Sequence, residues 1–492
     1  MLLFLIGLVI LVVGYFTYGK FVEKILAPTD NPTPAVRMKD GVDFVELPHW
    51  KNMLIQLLNI AGIGPVIGVI LGIKFGSVVF LILPIGNIIG GAVHDFLAGI
   101  ISIRNNGCNL PKIVEDNLGK HYARFFNAFM SLLLLLVVAV FINVPAALFK
   151  PLFKNVDVEP NTIFWIAVTI IFIYYIVATL FPVDKIIGSI YPVFSIILLL
   201  STVAIFIALM VKGIQSPEIM TESIAFKLQM FTAEKNQPIL PVLFVTIACG
   251  IISGFHATQS PIIARTMKSE REARSSFYGM MVLEGIIGMI WAGAGMAIYN
   301  LYPLYMTKAP ALVLNDITTY FLGSIAGGIT VIGVIILAIT SGDTAMRSLR
   351  LSVAETFKIS QKNLRNRILL CLPLIAVVLG LLYWSNQDAK SFNILWNYFS
   401  WANQILAVTT LLAGTVWLIR NKKNFLIAAI PGVFMTFIVF CYILWTDKSK
   451  NGPIGFGLDI EIAYLVSAAI ALIIVFGLIY KEVKKLYSAE NK

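Results

Sequence analysis

The chain has 492 residues, 58% of them hydrophobic and only 13% charged, with a formal net charge of +11. A soluble domain is nearer half apolar and a quarter charged, so this composition excludes an ordinary soluble protein, and its apolar residues fall in runs long enough to cross a bilayer core. The basic excess follows the retention of Lys and Arg in loops on the inner side of a membrane, so no nucleic-acid partner is expected.

Apolar runs at 2–19, 51–73, 76–103, 122–149, 160–181, 187–212, 238–266, 277–301, 320–342, 367–385, 393–419, 424–445 and 459–480 predict an all-α polytopic membrane protein of thirteen helices. Strands are not expected, because lipid-exposed open sheets leave backbone groups unpaired. The first run, MLLFLIGLVILVVGYF, lacks the basic start of a cleaved signal peptide and reads as a retained helix. Loops after odd-numbered helices, with the C-terminal tail, hold 27 of the 37 Lys and Arg residues. That bias places the N-terminus outside and the C-terminus in the cytoplasm. The basic clusters at 265–274, 347–367 and 420–423 read as solvated loop anchors. The connection at 213–237 falls outside and has room for a short amphipathic helix on the membrane surface. No loop is long enough to bury a core of its own.

Helix 2 contains NIAGIGPVIG, with Gly62, Gly64 and Pro65 near mid-span. Glycine relaxes the backbone, and proline suits the first turn of a new half-helix, so a break is expected at 61–65. Helix 3 carries Gly86 and Gly90 in a small-xxx-small pattern, then His94-Asp95. An ionisable pair at that depth is costly; it is either a proton-accepting pair or a structural hydrogen-bond node. Helix 7 contains ACGIISGFHATQSPI, with Gly250, Ser253, Gly254, His256 and Gln259. A second break is expected there, extending toward 260, where Ser260-Pro261 can cap the next half-helix. His256 either contacts substrate, relays a proton, or only holds the break in shape.

The two breaks lie five helices apart on antiparallel spans, the signature of a transporter with inverted repeats. Helices 2–6 (51–212) and 7–11 (238–419) are then the two halves of a LeuT-like five-plus-five core. Residues 1–50 hold the first helix and a cytoplasmic loop, and 420–492 hold two peripheral helices and a tail. Helix 9 ends AITSGDTAMRSLRL, where Thr340 and Ser341 offer hydroxyls to a cation and Asp343 a charge, unless Asp343 pairs with Arg347 one turn on. The aromatics of FNILWNYFSWANQ in helix 11 fit packing or an interface belt better than a stack on substrate. The four cysteines form no C-x-x-C pair, and four histidines are too few for a metal-dependent hydrolase, so neither a metal site nor a cofactor is expected. There is no phosphate-binding glycine motif to drive transport by ATP.

The stretches IAGIGP, GGAVHDFLAGIISIRNNG, ACGIISGFHATQSP, TSGDTAMRS and LWNYFSWANQ resemble the carbon starvation protein CstA family, over residues 33 to 404. The resemblance implies inner-membrane uptake of small nutrients under carbon limitation: peptides, or pyruvate by proton symport in some members. It also implies a fold related to the amino acid–polyamine–organocation transporters. Larger members carry a His-His pair just before the first break, where this chain has Gln56 and Asn59, so substrate and coupling ion stay open. The expectation is a non-enzymatic importer working by alternating access. Its substrate would lie between the breaks at the half-helix N-termini near Gly64 and Ser253. His256 and Gln259 would touch it, His94, Asp95 or Asp343 would carry a proton, and Thr340 and Ser341 would bind the ion, H+ or Na+. A channel or nutrient sensor of the same fold is the rival. Oligomeric state is not legible.

Overall fold

The computed structural model describes the chain except residues 42, 154–156, 181–182, 222–237, 308–309, 362, 388, 448–454 and 491–492. Most of the predicted 213–237 connection therefore lies outside the described residues. Those described are helical, with one isolated bridge between Pro32 and Ser269 and no strand.

In chain order the helices are α1 (Leu2–Leu26), α2 (His49–Ile60), α3 (Gly64–Phe75), α4 (Val79–Arg104), α5 (Leu110–Leu118), α6 (Lys120–Leu152), α7 (Pro160–Leu180) and α8 (Val183–Gln215). They continue as α9 (Gly254–Ala264), α10 (Met280–Leu301), α11 (Pro310–Thr356), α12 (Leu364–Ser385), α13 (Ala389–Arg420), α14 (Leu426–Trp445) and α15 (Ile460–Glu490). Eleven described helices are long and apolar enough to cross a membrane, and α2 with α3, bent by 55° at their junction, make a twelfth. The thirteenth expected span, 238–266, fails that length test because it is fragmented. Short turns at Ile239–Leu243, Phe244–Thr246 and Ala248–Ile251 lead into α9.

Both breaks sit where the glycines are. The first falls at Ala61–Ile63, and Pro65 occupies the first turn of α3. The second is only two residues wide: Ile252 and Ser253 are extended and α9 starts at Gly254. Ser260 and Pro261 lie inside α9, not at its start as the sequence suggested. Gly254 fixes the start, because a Cβ there would collide with Asn403, Leu406 and Ala407 of α13.

Ala248–Ile251 packs on the start of α3, while α9 packs on α2. The half before each break thus meets the half after the other, so the two spans cross antiparallel at their breaks. The close approach of α4 to this crossing rests on Gly91, where a Cβ would run into the Ile251 carbonyl and the Met281 side chain. Gly90 of the predicted small-residue pair has more room, its nearest neighbour 3.8 Å away.

Two of the three basic clusters are not simple solvated anchors. Helix α11, interrupted at Gly323 (φ 77°), runs on to Thr356, well past the predicted end at 342. Arg347 and Arg350 are buried inside it. Arg347 donates to the Ala178 carbonyl and Arg367 to the Leu180 carbonyl at 2.8 Å, supplying donors that the last turn of α7 lacks. In the 265–274 cluster, Glu270 is buried and accepts from Arg104 at 2.6 Å. The segment between α1 and α2 is stitched to the segment after α9. Thr33 Oγ1 donates to the Met267 carbonyl (2.5 Å), Val45 N to Arg265 (3.2 Å) and Leu47 N to Thr266 (3.0 Å). Thr266 Oγ1 also donates to Asn52 Oδ1 at 2.7 Å.

A buried polar cluster at the crossing of two broken helices

Four ionisable side chains meet beside the crossing: His94 and Asp95 from α4, His256 from α9 and Glu284 from α10. None is more than 1% exposed. Asp95 stands between two imidazoles, with His94 Nδ1 at 2.8 Å from Oδ1 and His256 Nδ1 at 3.1 Å from Oδ2. On the far side of the His256 ring, Nε2 is 3.7 Å from Glu284 Oε2. That Nε2 has no hydrogen-bond partner. Neither Nε2 of His94 nor either oxygen of Glu284 has a hydrogen-bond partner. The sequence reading named His94, Asp95 and His256 and missed Glu284. A lone acid in the apolar run MVLEGIIGMIW carries the same warning as the others.

Neutral amides brace the second break. Asn87 Nδ2 donates to the Gly250 carbonyl (3.0 Å) and the Met281 carbonyl (2.9 Å), tying α4 to both. Asn403 Oδ1 accepts the Phe255 N–H at 2.8 Å, so this amide of the α9 N-terminus is occupied by a side chain of α13. Asn403 Nδ2 also donates to Ser253 Oγ (3.0 Å), and Gln404 Nε2 to the Ile252 carbonyl (3.3 Å). These two residues lie in the motif singled out for its aromatics; only the folded geometry reveals the amides as a splint. Gln259 donates to Thr258 Oγ1 at 2.8 Å, and its own oxygen has no partner.

At the first break, Ser341 Oγ donates to the Leu58 carbonyl at 3.1 Å, and a Cβ on Gly62 would stand 3.3 Å from that hydroxyl. Thr340 donates to Leu337 at 3.0 Å and borders an apolar cavity of about 560 Å³ shared with Tyr174 and Ile336. Asp343 accepts from Tyr174 of α7 at 2.6 Å. Thr340 and Asp343 thus border α7, whereas Ser341 belongs to the break. Gln56 and Asn59, in the last turns of α2, are 0% exposed, and neither the nitrogen nor the oxygen of either amide has a partner. In the adjoining space the Phe141 ring contacts those of Phe255 and Phe399, with centroids 6.1 and 5.9 Å away. No group of three or more His, Cys, Asp or Glu suited to a metal occurs among the described residues.

The family described as Carbon starvation protein CstA matches residues 1–171, 152–321 and 302–441. The chain belongs to the CstA family. Within and around that family, it is 39% identical to a membrane protein of Haemophilus influenzae, over 61% of this chain and 92% of that one. It is 27% identical to the peptide transporter CstA of Bacillus subtilis, over 57% of this chain and 55% of that one. It is 23% identical to the pyruvate/proton symporter BtsT of Escherichia coli, over 63% and 53%. This CstA-family chain therefore spans about half the length of those two named transporters. Among solved structures it resembles MhsT in complex with L-phenylalanine (TM-score 0.56, 14% identity, 88% of this chain and 99% of that one). It also resembles a manganese transporter of Eremococcus coleocola (0.55, 13% identity, 91% and 99%). At these identities the likeness is one of fold, a LeuT-like arrangement of helices.

Proposed function

We propose that this CstA-family protein is a secondary active importer of the bacterial inner membrane. It takes up small carboxylate-bearing nutrients, peptides or pyruvate, with a cation, by alternating access. The observation that carries this reading is the unmatched polar capacity at the first break. A buried polar group without a partner costs about 1–3 kcal/mol, yet Gln56 and Asn59 present four such atoms in one place. A cargo that hydrogen-bonds them recovers that cost. The names of the peptide-transporting and pyruvate-transporting relatives support the cargo class.

In this state Asn403 holds the Phe255 N–H. A cargo carboxylate would take that place, on the positive end of the α9 dipole. Gly62, Gly64 and Pro65 at one break, and Gly250, Ser253 and Gly254 at the other, let the backbone come close to it. His256 and Gln259 add side-chain contacts. His94, Asp95 and Asp343 are candidates to carry a proton, and Thr340 and Ser341 to bind a cation. With the inside negative, each charge entering contributes about 2.3 kcal/mol per 100 mV.

The test is uptake of labelled pyruvate and of dialanine into proteoliposomes under separate proton and sodium gradients. Accumulation driven by one of the gradients is expected. Uptake that ignores both and never exceeds equilibrium would make the protein a channel and overturn the reading.

A further inference from the structure

We propose that the coupling cation is a proton shared between Glu284 and His256, on a ring whose tautomer is fixed by Asp95. This rests on the transporter reading above, but it moves the proton from the His94-Asp95 pair to His256 and Glu284, of which sequence patterning singled out only His256.

The argument starts from what each group can do. An ionised carboxylate only accepts hydrogen bonds. Asp95 faces Nδ1 of both His94 and His256, so both Nδ1 atoms carry hydrogen and both Nε2 atoms are left as lone pairs when the rings are neutral. One of those lone pairs, on His256, faces Glu284 Oε2 at 3.7 Å. The charged groups facing Glu284 are His256 and Asp95, and those facing His256 are Asp95 and Glu284. Helix α2, packed on the same side, contributes at Gln56 and Asn59 only neutral amides.

Without a proton between Glu284 and His256, two buried anions would flank one neutral ring. With one proton there, carried by the Glu284 carboxyl and pointed at the Nε2 lone pair, the second negative charge is cancelled. Binding takes one proton from the aqueous phase onto the pair, and release returns it; no other bond changes. The ring stands on α9, which packs on α2, so the proton lies beside the first break. Asp95 is a positioning residue: it sets which nitrogen is open.

The experiment is pH-difference infrared spectroscopy of the purified full chain, with transport in parallel. Wild type is expected to show the carbonyl band of a protonated buried carboxyl that disappears on alkalinisation, and Glu284→Gln to lack it. Asp95→Asn should keep the band and move its pH midpoint. A band unchanged in Glu284→Gln, or no such band in wild type, overturns the assignment. Should the glutamine variant not fold, Glu284→Asp must shift the band frequency; an unmoved band is equally fatal. In proteoliposomes, Glu284→Gln should retain counterflow of pyruvate or dialanine while losing proton-driven accumulation by at least about tenfold. Undiminished accumulation refutes it. If wild type moves neither probe but the band behaves as stated, the transport reading falls and the proton site stands.

Discussion

Gln56 and Asn59 test whether the crossing was shaped for stability or for cargo. Replacing an unpaired buried amide with an apolar group of similar size removes a desolvation cost of about 1–3 kcal/mol. Gln56→Leu and Asn59→Leu are therefore expected to leave the melting temperature of the purified protein unchanged or raised, while uptake is lost. A drop in both would mean that the amides serve the fold. For the histidines, His94→Ala and His256→Ala should reduce uptake far more than folded yield, measured by fluorescence-detected gel filtration. Equal losses would assign the rings to structure. Outside the spans, burial pushes the Cys108 thiol up to about 12, so the reactive thiolate is scarce at neutral pH. Maleimide labelling of Cys108 should be slow at pH 7 and accelerate as pH rises. His94, Asp95 and His256 were legible because ionisable groups stand out in apolar runs, and Glu284 carried the same signal without a neighbouring break to draw attention. That Gln56 and Asn59 lack partners is a property of the folded neighbourhood, invisible along the chain.

Helical elements here are positioned by what glycine leaves out. At Gly91 the missing Cβ lets α4 lie against the Ile251 carbonyl. Gly91→Ala is expected to cost about 1–3 kcal/mol or to prevent folding, as overpacking does, while Gly90→Ala has room. Detergent-solubilised yield and melting temperature of the two variants check this; equal tolerance would contradict the packing. The Asn403 splint acts like an N-cap on α9, so Asn403→Ala should destabilise by about 1–2 kcal/mol. Both breaks were foreseeable from Gly and Pro. The width of the second was not, because the start of α9 is set by contact with α13, not by its own Ser260 and Pro261. Nor was the length of α11, since Arg347 looks like a loop residue until the end of α7 is seen to need its donor.

Across the whole molecule, long apolar runs and matched breaks were enough to read an all-helical membrane fold. What they could not give was the layer at the basic end, where the α1–α2 region and the chain after α9 exchange hydrogen bonds over more than 200 residues of sequence, with α4 tied in through Arg104 and Glu270. Asn52→Leu with Thr266→Val is predicted to speed hydrogen–deuterium exchange at the amides of Val45 and Leu47, and unaltered protection there would show that the stitch carries little. The stitch also bears on timing. Its bonds join the starting end of one broken span to the finishing end of the other, so neither half-helix can swing outward at this end until several of them let go together. Opening here is then an activated event whose waiting time is set by the stitch, and loosening it should change how long the protein dwells shut before it changes how tightly anything binds.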